Sequence, residues 1–194
     1  AGSGAKIALT AREDTTPPAG GSLSYANGYL TATTIVVSVN EGSDPETGIA
    51  SRQLFSRSAP LASPDGLAAG TCGAYGSWTA VGVQTAGTTS VPVTLATATC
   101  SQFKYTVRNT IGLSTDYTSA NELKVDTTPP SAGAVSLPGL PSGGYTTSPS
   151  LALSVTAGTD PESGIASSKV EQNSTALSPL GCSGFQAWAA TPNP

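Results

Sequence analysis

The chain has 194 residues, and Ser and Thr supply 53 of them, against a charged share of only 10% and a net charge of −4. Histidine is absent and Lys plus Arg number 8, so the usual imidazole base and the basic stripe of a nucleic-acid binder are both missing. No apolar run approaches the ~18 residues of a membrane span, so membrane insertion is not expected either, and the recurring β-branched clusters point to an ordered all-β chain.

The most informative feature is internal repetition. Asp14-Thr15-Thr16-Pro17-Pro18 returns as Asp126-Thr127-Thr128-Pro129-Pro130. Asp44-Pro45-Glu46-Thr47-Gly48-Ile49-Ala50-Ser51 returns as Asp160-Pro161-Glu162-Ser163-Gly164-Ile165-Ala166-Ser167, and Cys72 and Trp78 return as Cys182 and Trp188. The period, near 112 residues, is the length of a β-sandwich domain rather than a solenoid unit. In this register residues 1–13 are the last strand of a preceding repeat, 14–125 a complete repeat, and 126–194 the front part of a second. The chain is thus expected to be a window on a longer array, with Lys6 to Ala11 as the preceding strand. Completion of the second copy by a strand from another chain is the less favoured alternative, because one strand cannot replace so much missing core.

Within the complete copy, Thr33 to Val39 reads as a strand with Ile35, Val37 and Val39 on one face, matched by Leu151, Leu153 and Val155 in the second copy. Gly48 to Phe55, Ser77 to Val83 and Thr88 to Thr97 are further strand candidates, with Pro92 placing the last at an edge or bulge. Ser101 to Arg108 is the clearest strand. Phe103, Tyr105 and Val107 alternate with polar residues, Asn109-Thr110-Ile111-Gly112 supplies a turn, and Asn121 to Val125 returns. The prolines exclude Asp14 to Pro18 and Asp126 to Pro130 from a central strand, so Asp14, Pro17, Pro18, Asp126, Pro129 and Pro130 are predicted to form stiff domain junctions.

Tyr105-Thr106-Val107-Arg108-Asn109-Thr110-Ile111-Gly112-Leu113-Ser114 resembles the Y-x-V-x-N-x-x-G-x-S strand and turn of fibronectin type III and related immunoglobulin-like modules. With the D-T-T-P-P and D-P-E-[ST]-G-I-A-S blocks, the chain is similar to immunoglobulin-like tandem repeats of large bacterial surface and secreted proteins. The resemblance implies tandem immunoglobulin-like sandwiches and no particular activity. The six-residue Cys72–Trp78 spacing departs from antibody domains.

Cys72 and Cys100, 28 apart in the complete copy, are predicted to be disulfide-bonded, which places the protein in an oxidising compartment. Cys182 takes the position of Cys72 and is expected to be unpaired, with no basic neighbour to activate it. Asp44 with Glu46, and Asp160 with Glu162, read first as Asp-capped Pro/Gly turns. The sharper alternative is calcium held by these carboxylates, with Asp14, Glu41 or Asp126 joining at a junction. The turn reading predicts no tightly bound metal and no cofactor. Tyr25, Tyr29, Tyr75 and Trp78 are candidate sugar platforms, weighed against packing roles. Asn173-Ser174-Thr175 fits a glycosylation pattern, and the Gly2 to Lys6 run lacks P-loop spacing. No catalytic residue is identified. The expectation is a non-enzymatic extracellular or cell-surface repeat, a stalk or filament segment whose partners are neighbouring repeats of the same or identical chains, including a homopolymer. The alternatives are an adhesive or carbohydrate-binding module and an accessory region of a secreted hydrolase.

Overall fold

The computed structural model describes residues 12–62, 68–179, 181–182 and 184–190. The expected preceding strand Lys6 to Ala11 and the Gly2 to Lys6 run lie outside the described residues. The described chain is all-β and contains no helix long and apolar enough to cross a membrane. It divides into two compact units, residues 12–128 with 161–163, and residues 129–160 with 164–190.

The first unit has nine strands: β1 (Ser22–Ser24), β2 (Gly28–Leu30), β3 (Thr34–Asn40), β4 (Ile49–Pro60), β5 (Thr79–Ala80), β6 (Ser90–Thr94), β7 (Thr99–Asn109), β8 (Ser114–Thr118) and β9 (Leu123–Val125). A three-stranded sheet runs β1-β3-β6, and a six-stranded sheet runs β2-β9-β7-β4-β5 with β8 also on β7. Pro92 sits on β6, an edge strand that pairs only with β3, where its missing N–H costs no ladder bond. The period-2 alternation of β3 buries Ile35, Val37 and Val39, and that of β7 buries Phe103, Tyr105 and Val107. Residues of both sheets form one buried cluster, completed by Leu23, Tyr25, Leu54, Val91, Val93 and Leu123. Tyr25 stands edge-on to Phe103 and donates its hydroxyl to the Asn121 carbonyl at 2.6 Å, tying β1 to the turn before β9.

The strand predicted over Ser77 to Val83 shrinks to the two residues of β5, because Gly76 and Val81 to Gly82 bond backbone and side-chain groups outside a ladder. The region after the Asn109 turn contains an additional strand, β8, that pairs Ser114–Thr118 with Lys104–Arg108.

The second unit holds six short strands: β10 (Ala134–Ser136), β11 (Ser154–Thr156), β12 (Glu171–Gln172), β13 (Leu177–Ser178), β14 (Gly181–Cys182) and β15 (Ala189–Ala190), paired as β10-β11, β12-β15 and β13-β14. These pairings reproduce those of the first unit residue for residue. Leu23↔Val39 becomes Val135↔Val155, and Phe55↔Ala80 becomes Glu171↔Ala190. Likewise Leu61↔Cys72 becomes Leu177↔Cys182, and Ala19↔Ser43 becomes Ser131↔Thr159. Gly42 and Gly158 both have positive φ, and a Cβ on either would strike the backbone carbonyl of the facing bridge residue, Ala19 or Ser131. The expected alternation Leu151, Leu153, Val155 is only partly a strand, since β11 begins at Ser154, and Leu153 and Val155 remain exposed.

Candidate functional site

The repeated motifs converge. Asp14 begins with a turn of its own, its Oδ1 accepting the Thr16 amide at 2.9 Å. Its Oδ2 accepts the Thr47 hydroxyl at 2.6 Å and the Asn109 side-chain amide at 3.0 Å. Asp44 closes the D-P-E-T-G turn, with Oδ1 accepting the Thr47 and Gly48 amides at 2.9 and 3.2 Å and Oδ2 accepting from Asn109 at 3.0 Å. The Asn109 carbonyl oxygen accepts the Leu113 amide at 2.8 Å, which fixes the orientation of the side chain and leaves its NH2 facing the two carboxylates. Asn109 is almost fully buried. Three segments far apart in sequence therefore meet at one asparagine.

The electrostatics follow from this geometry. The Thr47 amide holds the Asp44 carboxyl below its usual range, with Asn109 and Gly48 adding to the effect and desolvation opposing it. Glu46 accepts the Thr16 hydroxyl at 3.2 Å, while Glu41 lies apart in an ion pair with Arg52. In the first unit Asp126 repeats the Asp14 turn, accepting the Thr128 amide at 2.9 Å. Its burial alone would raise its pKa, but bonds from Ser163, the position of Thr47, and from Thr128 hold it lowered. In the second unit Asp160 accepts the Gly164 amide at 3.1 Å, as Asp44 accepts that of Gly48. Glu162 belongs to the first unit and offers its backbone carbonyl to the Gly70 amide at 2.7 Å. Pro17, Pro129 and Pro130 are exposed, whereas Pro18 is buried and its carbonyl accepts the hydroxyls of Thr115 and Tyr117.

Asp14 and Asp44 face the same asparagine amide, and N–H donors already occupy both oxygens of Asp44. An amide nitrogen stands between the carboxylates where a cation would sit, so the arrangement acts as a hydrogen-bonded latch.

Cys72 and Cys100 are bonded, with Cα atoms 5.9 Å apart, and Cys100 packs in a small buried cluster with Ala59 and Leu61. The Glu122 carboxylate lies within 4.8 Å of both sulfurs, yet sulfurs bonded to each other present no thiolate to a metal. Cys182 is free and exposed.

No family model, curated protein or solved structure matches the chain. What the aromatic residues do must be read from their contacts. Tyr25 is core. Arg57 lies 4.9 Å from the Tyr75 ring and 4.6 Å from the Trp78 ring, and donates two bonds to Gln102. Lys104 sits 5.5 Å from the same Trp78 ring, and Lys124 lies 5.6 Å from Tyr29. Tyr75 donates to Glu122 at 2.8 Å, and burial followed by that carboxylate pushes its phenol well above the usual value. Each of the Tyr29, Tyr75 and Trp78 rings thus has a cation of the six-stranded sheet over it. At Asn173 the amide nitrogen that would carry a glycan is donated to the Gln186 carbonyl at 2.5 Å.

Sequence reasoning found the two acidic turns and the cysteines but assigned Asn109 to a turn only. The available signal was a buried-phase Asn at the end of the Phe103-Tyr105-Val107 alternation, a position where a polar side chain requires partners.

Proposed function

We propose that this chain is an extracellular structural repeat, a stalk or filament segment of a cell-surface protein, built from tandem immunoglobulin-like sandwich modules. The observation that supports it is the recurrence of one strand-pairing register together with one Asp-turn latch, at Asp14 with Thr47 and at Asp126 with Ser163. A catalytic centre has no reason to be duplicated at successive module starts, whereas a fastening has. The disulfide suits an oxidising compartment, and prolines after each latch stiffen the link. Proteinase K treatment of intact producing cells tests the reading. Loss of the chain while a cytoplasmic marker survives is the expected result, and resistance until the cells are lysed would overturn it.

A further inference from the structure

Two sulfurs and one carboxylate meet on the six-stranded sheet of the first unit. The Sγ atoms of Cys72 and Cys100 and a carboxylate oxygen of Glu122 lie within 4.8 Å of one another, beside the buried Ala59 and Leu61. Bonded to each other, the sulfurs offer a metal nothing. As two thiolates they would supply, with the carboxylate, three of the four corners of a tetrahedral zinc site, whose ligand atoms stand ~3.5–4 Å apart. Side-chain rotation covers that difference, because the backbone under each ligand is held by bonds other than the disulfide.

Cys100 lies in β7, paired with Ala59 of β4 on one side and Lys124 of β9 on the other. Cys72 lies opposite Leu61, fixed by the Ala62 amide donating to the Thr71 carbonyl at 2.8 Å and the Gly73 amide donating to the Pro60 carbonyl at 2.9 Å. Glu122 donates its amide to the Asn27 side chain at 2.8 Å, and its carbonyl accepts the Gly28 amide at 2.9 Å. Its carboxylate is aimed as well: Tyr75 donates to Oε2 at 2.8 Å, and the Lys124 ammonium lies 3.5 Å from Oε1. Burial and that carboxylate push the Tyr75 phenol well above its usual value, so Tyr75 stays a proton donor to Glu122, as an outer partner of a zinc ligand does. Two thiolates with one carboxylate suit a borderline-soft divalent ion, whereas calcium and magnesium take oxygen ligands.

We infer that the first unit, once its disulfide is reduced, binds zinc(II) through Cys72, Cys100 and Glu122, so that a metal staple takes the place of the covalent one. A dithiol supplies two electrons and two protons to the Cys72–Cys100 bond and itself closes to a disulfide. Zinc then displaces both thiol protons as the two sulfur–zinc bonds form. The inference concerns the thiol state of the chain and does not rest on its being a stalk segment.

The test uses the whole chain carrying Cys182→Ser, which removes the third thiol, reduced with dithiothreitol and freed of it under nitrogen. Cadmium(II) is the probe, read by its ultraviolet thiolate charge-transfer band, with zinc(II) as competitor. One cadmium per reduced chain, displaced by zinc, is the expected result, with no band in the oxidised chain. Glu122→Gln keeps the backbone bonds and an acceptor for Tyr75. It is expected to weaken zinc binding by at least the roughly tenfold that even an outer partner of a zinc ligand contributes. Hydrogen exchange across residues 99–109, quickened by reduction, is expected to slow when zinc is added. No band in the reduced chain, undiminished binding in Glu122→Gln, or exchange at 99–109 that zinc leaves unchanged would each overturn the proposal. The first and last of these need no substitution at the site, so they hold whatever Glu122→Gln does to the fold.

Discussion

Val39 and Val155 are the same residue type in the same register, each opposite an apolar partner on a neighbouring short strand, yet one is 4% exposed and the other 47%. The difference separates two layers of information. Strand register is local. A glycine forced against a bridge carbonyl and an Asp-closed turn next to it place the same residues opposite each other in both units. Burial is long-range, and depends on β7 crossing the face those strands present. Pro18 and Pro130 repeat the lesson, since the first is covered by hydroxyls and a ring from β8 and the second stands in solvent.

The largest break in this comparison is the disulfide. Opening the loop of 28 residues between Cys72 and Cys100 removes a constraint worth about 3–4 kcal/mol in the chain-entropy account. The paired change Cys72→Ser with Cys100→Ser is expected to lower the stability of the first unit by that amount. Hydrogen exchange is expected to accelerate across residues 99–109 and to stay unchanged across 151–156. Equal acceleration in both segments would show that the units unfold together.

A sharper comparison comes from truncating the matched valines. Val39→Ala removes two buried methyl groups and leaves a cavity between the sheets, a cost of about 2–3 kcal/mol. Val155→Ala removes the same atoms from solvent-facing positions and is expected to stay within about 0.5 kcal/mol. Urea unfolding of the two variants reads the difference directly. A cost at Val155 comparable to that at Val39 would mean that the face is covered in solution.

How much of this was legible beforehand follows the same division. Alternation in Phe103, Tyr105 and Val107 announces a half-buried strand because the pleat turns successive side chains to opposite faces. The repeated blocks announce matching turns because Asp, Pro and Gly act on their own neighbours. Strand β8 was not legible. Its Ser-Thr-Asp-Tyr-Thr carries no apolar alternation, and it holds its place through Lys104–Asp116, Thr106–Asp116 and the Pro18 carbonyl, all contacts with other segments. The stacking of Arg57 between Tyr75 and Trp78 was hidden for the same reason, since Arg57 is about 20 residues distant from either ring in sequence. Asn109 was read as a turn residue, because neither carboxylate that it joins is near it in the chain.

That asparagine gives the smallest and most specific test. Asn109→Ala deprives Asp14 and Asp44 of a donor each, while Asp44 keeps the Thr47 and Gly48 amides and Asp14 keeps the Thr47 hydroxyl, so the cost at neutral pH is on the order of 1–2 kcal/mol. The pH dependence distinguishes lost hydrogen bonds from simple loss of packing. Folding lowers the Asp44 pKa, so its stabilisation is complete above about pH 4, the unfolded value, and is lost as pH falls through the lower folded value. Removing Asn109 takes away one of the bonds that favour the charged form and brings the two values closer together. The urea midpoint of the first unit is therefore expected to fall less steeply in Asn109→Ala than in the parent chain as pH drops below about 4. The gap between the two chains should then narrow in acid. A gap that is constant from neutral pH into acid would show that Asn109 contributes shape alone and that the carboxylates do not depend on it.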